Sequence, residues 1–342
     1  MIELNHNELV FRFPEVHPEA VCRVNFHRTL RIPDDNRDYP LPPGLGCFPV
    51  EHVEDHASRL PAAWTGHGGV LLPMYQAEAL WISFSCETGA RSSIRYPFAV
   101  KVAAGKINAV TGDEWRNDLG KDPQDYLVIP DQPWLDGFCV QKGLIRQFVA
   151  MPLGQGYTAE EQISGTSEHG GIQIIVYPMK RNCFEELLRR KTNLFDSAFD
   201  LGIMFCLEAS GATASMGLAP GGLMRQEIYA DQHGYDAWDL SRSSRCFVHI
   251  LNSSQWVDAT GTSVPGKPPS AADYEKAGLP WFEYYNDQIG ALSGAKKLAG
   301  LDSVAAKGVK LGETPLPQND AVTPASIVQL GPSAPKIIDG KW

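Results

Sequence analysis

The chain has 342 residues, of which 43% are apolar and 20% charged, so it can bury a sizeable core and global disorder is excluded. Its 30 basic and 40 acidic residues leave a net charge of −10, which argues against a general nucleic-acid binder or a protein of anionic membrane surfaces. The 32 glycines and 25 prolines are spread along the chain and predict many turns and short strands rather than long helices.

The first 180 residues carry the alternation of polar and apolar side chains and the β-branched content that are typical of strands. Residues 137–151 predict a hairpin whose three-residue loop is Gln141-Lys142-Gly143. We therefore expect a β-rich domain over residues 1–180. Its other predicted strands are residues 9–13, 21–26, 69–72, 79–86, 96–102 and 171–177.

The clearest single element is an amphipathic helix, predicted from Cys183 to about Phe199. Asn182 and Glu185 have the spacing of a helix N-cap and its capping-box partner. This helix predicts a second region, residues 181–285, in which it packs on further strands. The elements predicted behind it are strands at residues 224–229 and 246–251 and a short capped helix that opens at residues 270–273.

The composition changes at about residue 286, after which few aromatic residues occur and Ala, Gly, Lys, Pro and Ser dominate. We expect residues 286–342 to form an extended, low-complexity C-terminal arm. The segment directly before this arm, residues 279–285, would place aromatic side chains on both faces of a strand. Such aromatic anchors are over-represented in interfaces, so we expect this segment and the arm to make subunit contacts in a homo-oligomer. The aromatic residues are Trp281, Phe282, Tyr284 and Tyr285.

Together these elements predict an α+β protein dominated by β-structure, with two sandwich-like or barrel-like β blocks, one main helix and the extended arm. The seven cysteines lie more than twenty residues apart and include no CxxC pair, which indicates neither a disulfide framework nor a structural zinc site. The first residues lack the apolar core of a signal peptide, and the weakly charged stretch 201–224 is broken by Pro220. We expect a cytoplasmic protein without stable membrane insertion.

A near-repeat is the most distinctive local feature: His67-Gly68-Gly69-Val70 and His169-Gly170-Gly171-Ile172 each precede an apolar run. Such a segment is typical of the oxyanion-hole loop of esterases, which makes His67 and His169 candidate catalytic residues. That use requires a nucleophile elbow, and the nearest match, residues 213–217, lacks its first glycine. The alternative is a Gly-Gly turn that enters a strand and is preserved from an internal duplication.

His52 and His56 form an H-x-x-x-H pair, which would share one face of a helix. Together with Glu54 and Asp55 they are candidate metal ligands, although the order is not that of a zinc protease. The alternative is an exposed, solvated helix face, and the sequence names no third ligand. We expect no metal and no other cofactor.

Three stretches carry a further signal: residues 146–162, which contain the run MPLGQGYT, residues 216–229, which begin MGLAPGG, and residues 278–282, the run GLPWF. Over roughly residues 30–287 the chain thereby resembles a family of uncharacterised bacterial and fungal proteins with no assigned activity. The resemblance implies a shared fold. It carries over no catalytic residue.

The leading hypothesis is a non-enzymatic cytoplasmic protein for binding or self-assembly, because the sequence shows no assembled catalytic constellation. The first alternative is a hydrolase or metal-dependent enzyme that uses dispersed histidines. The second alternative is a module for a small ligand or a carbohydrate, which requires the aromatic residues to line an open groove. No nucleic-acid partner is expected.

Overall fold

The structure is a computed structural model that describes residues 1–87, 94–191, 215–286, 288–314 and 316–330. Strands dominate it and helices are short, which confirms the predicted β-dominated α+β class. The strands are β1 (Ile2–Asn5), β2 (Glu8–Arg12), β3 (Val21–Thr29), β4 (Asp38–Tyr39), β5 (Gly44–Cys47), β6 (Glu51–His52), β7 (Val70–Met74), β8 (Ala79–Cys86), β9 (Phe98–Ala104), β10 (Ile107–Asn108), β11 (Leu127–Ile129), β12 (Trp134–Leu135), β13 (Gly137–Gln141), β14 (Leu144–Pro152), β15 (Ile172–Pro178), β16 (Ser215–Arg225), β17 (Ser244–Asn252), β18 (Trp281–Tyr284) and β19 (Ile327–Leu330).

The α-helices are α1 (Ala62–His67), α2 (Ala159–Ser164), α3 (Arg181–Lys191), α4 (Ser253–Thr260), α5 (Ala271–Lys276), α6 (Lys296–Ala299) and α7 (Val304–Lys310). Short 3-10 helices lie at Glu54–Arg59, Tyr235–Ala237 and Pro317–Asn319. Among the described residues, none of the helices combines the length and the apolar character that a membrane span requires.

One layer of the sheet runs through β1, β2, β3, β8, β14 and β16, each antiparallel to the next. The strand β3 shows why these residues form this layer: its side chains alternate between buried and half-buried positions, as expected of a strand with one face on the core. The hairpin of β13 and β14 confirms the prediction for residues 137–151, with a loop one residue shorter than expected because Gln141 still pairs with Leu144.

The second layer runs through β9, β15, β17 and β7, in which β7 is parallel to β17 and the other pairs are antiparallel. The strands β9 and β15 are buried along their whole length, because side chains cover both of their faces. The first residues of β16 pair with β17 and so join the two layers. Apolar side chains of both layers form one core cluster, so the layers pack face to face.

Each layer takes strands from both sides of residue 180, the predicted domain boundary. The strand β14 pairs with β16, and β15 pairs with β17, so backbone hydrogen bonds cross this boundary in both layers. Strands from beyond residue 180 therefore complete both layers that the first 180 residues begin.

Several predicted elements are corrected in detail. The helix α3 begins at Arg181, so Asn182 lies within its first turn and the N-cap prediction is wrong. The rest of the predicted helix, up to Phe199, lies outside the described residues. The strand predicted at residues 224–229 runs instead from Ser215 to Arg225, so it begins nine residues earlier than predicted.

The described part of the C-terminal arm packs on its own chain. The amide of Ala295 donates to the carbonyl of Cys139 at 2.9 Å, and Leu298 is fully buried in the main core. Farther along, β19 pairs in parallel with β18, so the end of the arm adds a strand to the aromatic segment. The described residues of the arm, 288–314 and 316–330, are thus docked in cis.

Candidate functional site

His52 and His56 do not share a helix face, so the predicted pairing is wrong. His52 is exposed in β6, where it pairs with Val70, whereas His56 lies in the 3-10 helix that follows. The Nε2 atom of His56 lies 2.5 Å from the carboxylate of Glu51. Among the residues that the structure describes, no three His, Cys, Asp or Glu side chains converge as a metal site.

His67 is the last residue of α1, which ends where the amide of Gly68 donates to the carbonyl of Trp64. The His67 ring stacks on Phe247 with a centroid distance of 5.1 Å and an interplanar angle of 2°. The neighbouring His249 is buried against Trp64, and this burial lowers its pKa to about 4. His67 is therefore part of a stack of rings on the outer face of β17.

The loop around His169 binds one of the protein's own carboxylates. The backbone amides of Glu168, His169 and Gly170 donate to the side chain of Glu160 at 2.9, 2.9 and 2.8 Å. Glu160 is buried in the first turn of α2, close behind the capping box that starts at Thr158. These three amides therefore have their acceptor already and are not open to a developing oxyanion.

The two His-Gly-Gly segments lead into strands on the two sides of β17. Val70 of β7 and Ile172 of β15 both lie opposite Val248, one strand parallel and the other antiparallel to β17. The close approach needs glycine, because a Cβ atom at Gly69 or Gly171 would lie 2.1 or 2.3 Å from a backbone oxygen of β17.

The aromatic segment lies against its own chain. Trp281 is fully buried between Tyr39 and Tyr274, with ring-centroid distances of 6.2 and 6.1 Å. Phe282 lines an apolar groove of about 210 Å³, and the Tyr284 ring lies 4.9 Å from that of Trp134. This leaves Phe282, Tyr284 and Tyr285 as the members of the segment with surface open to a partner. Trp81 and Trp134 form further walls of the groove.

A cavity of about 280 Å³ lies where the chain leaves β3, between the turn from β7 to β8 and the C-terminal arm. We call it the Arg31 cavity, after the side chain that lines it. The backbone on either side of Arg31 is held by Gln147, a fully buried residue of β14. The Gln147 side chain accepts from the amide of Ile32 at 3.0 Å and donates to the carbonyl of Leu30 at 2.8 Å.

The guanidinium of Arg31 is buried and incompletely paired. The residue is 6% exposed, and its Nη2 donates to the amide oxygen of Asn319 at 2.9 Å. Its Nε and Nη1 atoms are buried and have no hydrogen-bond partner in the described part of the chain. Burial lowers the pKa of Arg31, and the carboxylate of Asp34 opposes this shift. An arginine nevertheless keeps its charge in a protein, so the cavity wall carries an underpaired cation.

A nearby arginine shows what full pairing looks like here. The Nε atom of Arg28 donates to Glu78 at 2.7 Å, and both side chains are almost completely buried. Glu78 accepts in addition from the amide of Tyr75 at 2.9 Å. Arg28 thus forms an ion pair with Glu78. Among the described residues, no carboxylate lies within ion-pair distance of Arg31.

One more polar atom of this cavity, Oε1 of Gln318, lacks a partner among the described residues, whereas the Tyr157 hydroxyl has the carboxylate of Glu313 beside it. Burial and the nearby carboxylate of Glu313 raise the pKa of Tyr157 to about 12, so the phenol stays protonated at neutral pH. Lys267 lies exposed among the lining residues. Met151 adds an apolar wall. The cavity can therefore receive an anionic group together with a small apolar body.

Residues of the C-terminal arm form one wall of the Arg31 cavity. The helix α7 begins after its N-cap Ser303, whose side chain accepts from the amide of Ala306. The amide of Ala305 donates to Asp34 at 2.8 Å, and Asn319 binds Arg31 as described above. Both contacts bring the arm onto the segment that carries Arg31.

Arg31 was not among the residues predicted from the sequence. The available signal was the run Leu30-Arg31-Ile32-Pro33, in which a charged residue stands between two apolar residues just behind a predicted strand. A charge inside a buried segment is uncommon and requires a partner. The contribution of the arm had no such signal, because its residues lie far away in the chain.

Comparisons of the chain with protein-family models, with curated proteins and with solved structures found no match. The resemblance to uncharacterised bacterial and fungal proteins therefore stays a prediction.

Proposed function

We propose that this is a non-enzymatic, cytoplasmic binding protein that holds a small anionic molecule in the Arg31 cavity. The observation that carries the proposal is the buried guanidinium of Arg31, whose Nε and Nη1 atoms have no partner in the described chain. A buried charge is costly unless it is paired, and carboxylate or phosphate oxygens are the acceptors that suit a guanidinium best. A ligand with a carboxylate or phosphate group supplies the acceptors that the guanidinium of Arg31 lacks.

The cavity limits the size and character of the ligand. Its volume of about 280 Å³ lies at the lower end of the range of ligand sites, about 300–1,000 Å³. Met151 and Val304 offer apolar contacts, and Oε1 of Gln318 can accept one further hydrogen bond. We infer a ligand with a single carboxylate or phosphate on a short, partly apolar body.

The thiols support the cytoplasmic part of the proposal. The six cysteines that the structure describes are thiols rather than disulfides, and four of them are buried. Such an arrangement suits a reducing compartment, in which thiols are not oxidised to disulfides.

The test is calorimetric titration with lactate, benzoate and inorganic phosphate on wild-type protein and on the Arg31→Met variant. Methionine keeps an apolar stem of similar length, and replacing an underpaired buried charge by an apolar residue is often tolerated. We expect at least one probe to bind the wild type and Arg31→Met to lose more than about tenfold in affinity, or about 1.4 kcal/mol.

The matched control is Arg37→Met, which removes an exposed arginine six positions further along the same segment. It should bind the probe as the wild type does. Equal binding by Arg31→Met, or no binding of any probe with a Kd below about 1 mM, would contradict the proposal.

A second candidate function, self-assembly, is favoured by the strand β19. Its residues are all exposed, and three of them are large and apolar: Ile327, Val328 and Leu330, at 42, 41 and 39% exposure. Within the described ranges it pairs only with β18, so its other edge is open to a further strand. We propose that, if the protein is a homo-oligomer, this strand makes the contact.

Light scattering during size-exclusion chromatography tests this second candidate. Val328→Lys should convert an oligomer to monomers, because a charge on an edge strand blocks strand pairing. Gln232→Lys adds the same charge at an exposed residue outside the strands and is the control for charge alone. A wild-type protein that is monomeric at about 100 μM would rule out this contact as a stable interface.

A further inference from the structure

A second cleft, of about 830 Å³, lies along β15 and β17, between the end of α1 and the loop of residues 115–118. Its volume falls within the range of small-molecule sites, about 300–1,000 Å³. It shares no lining residue with the Arg31 cavity. We call it the Lys106 cleft.

Three cationic side chains line this cleft. Lys106, Arg116 and Arg245 all contribute to it, and none of the three forms an ion pair within the described ranges of the chain. Asp118 is the single acidic residue of the lining. In a chain with a net charge of −10, three unpaired cations around one concave surface indicate a site for anions.

The backbone at Lys106 is strained. Gly105 and Lys106 form the turn between β9 and β10, with φ angles of +56° and +59°. Such turns favour Asn, Asp or Gly at both positions, because a side chain disfavours positive φ. Strain of this kind is commonly stored at functional sites. What lysine offers here, and asparagine does not, is its charge at the cleft.

The rest of the lining supplies rigid and aromatic surface. The Gln173 side chain accepts from the amide of Lys106 and donates to the carbonyl of Gly170, so it links this turn to the loop that carries Gly170. Phe247 and Trp115 are both half-buried beside the cations. A planar or apolar ligand part can pack on these rings.

We propose that the Lys106 cleft binds a small molecule with two or more phosphate groups. The phosphates lie among Lys106, Arg116 and Arg245, and the uncharged part of the molecule packs on Phe247 and Trp115. Several cations and an open cleft suit a multiply charged, partly hydrated ligand. The Arg31 cavity, with its one underpaired cation and smaller volume, suits a single anionic group.

The test uses pyrophosphate and ATP as probes in calorimetric titrations without metal ions. The variant Lys106→Asn removes the charge and places a residue that favours positive φ, so it should unfold at the same temperature as the wild type or higher. We expect it to bind both probes at least tenfold more weakly, and Arg245→Gln to behave likewise. Raising the salt concentration should weaken wild-type binding.

Two controls show whether the probes bind in this cleft. Arg242→Gln removes an exposed arginine outside the cleft and should bind as the wild type does. Arg31→Met should also leave pyrophosphate binding unchanged, which makes the result independent of the Arg31 cavity. Wild-type protein that binds neither probe, a Lys106→Asn variant that binds both normally, or equal affinity for adenosine and ATP would overturn the proposal.

Discussion

Arg31 and Asn319 are joined by a hydrogen bond of 2.9 Å although they lie 288 positions apart in the chain. This contact links the end of β3, near the start of the fold, to the far part of the C-terminal arm. It means that the arm belongs to the cavity wall, so the binding proposed for the cavity would be coupled to the docking of the arm.

Leu298→Ala tests whether the arm is docked in solution. The Leu298 side chain is fully buried in the main core, so its truncation should lower the free energy of unfolding by about 2–5 kcal/mol. Urea unfolding measures this difference. Leu311→Ala, at a leucine of the same arm that is 51% exposed, should change stability by less than about 0.5 kcal/mol. Equal midpoints for the two variants would mean that the arm is detached.

Glu160→Gln tests the buried carboxylate beneath His169. The two carboxylate oxygens of Glu160 accept hydrogen bonds from three backbone amides. A glutamine would place its own NH2 group against at least one of these amide donors. We expect a loss of about 1.5–3 kcal/mol in the free energy of unfolding, measured in urea at neutral pH. The control is Glu168→Gln, at an exposed neighbour. A stable Glu160→Gln protein would show that the amides are satisfied in another way.

Asp136→Asn tests a buried acid beside the aromatic groove. Burial raises the pKa of Asp136 from 3.8 to about 7, although the hydrogen bond from Gln226 opposes the shift. The folded state therefore keeps a proton that the unfolded state releases between about pH 4 and about pH 7, so this residue lowers stability as the pH rises through that window. Asparagine cannot ionise and should remove this contribution.

The measurement is urea unfolding at about pH 5 and about pH 8, with the exposed Asp258→Asn as control. His27 and His249 act in the opposite direction, because burial lowers the pKa of each to about 4 and their contribution grows as the pH rises from there to about 6.5. The difference between wild type and Asp136→Asn cancels the histidines. An identical pH dependence in both proteins would place the Asp136 pKa in its ordinary range.

Thiol labelling tests the packing of the cysteines. Burial raises the pKa of Cys139 and that of Cys246 to about 12, so these thiols are both inaccessible and protonated. Cys47 and Cys183 are partly exposed and should react with iodoacetamide first, as peptide mass spectrometry would show. The buried thiols should react only in denaturant, and their early labelling would argue against this core. The buried set is Cys22, Cys86, Cys139 and Cys246.

The sequence predicted what depends on local signals. The strand expected at residues 79–86 is β8 with the same bounds, because alternation is set by the pleat of the strand itself. The capped helix predicted from residue 270 is α5, with Ser270 and Asp273 forming the capping box. For His52 and His56 the same kind of reasoning failed, since His52 lies in β6 and only His56 lies in a helical segment.

Contacts between distant residues had no local signal. No pattern around Val70 or Ile172 shows that both lie opposite Val248. For the same reason, composition identified the arm as a separate segment but not the surface on which it lies. The Arg31 cavity needs residues from the segment after β3, from β14 and from the arm, so its prediction would require the tertiary fold.

The arm also sets an order of events while the chain is made. Leu298 and Val304 come after every strand of both layers in the chain. A ribosome that adds about 5–20 residues per second therefore completes the layers some seconds before the arm that packs on them. A newly made chain thus exposes Arg31 to the surrounding solution first, and the arm covers this residue afterwards. In the finished protein the docked arm forms part of the cavity wall, and its Asn319 accepts a hydrogen bond from Arg31.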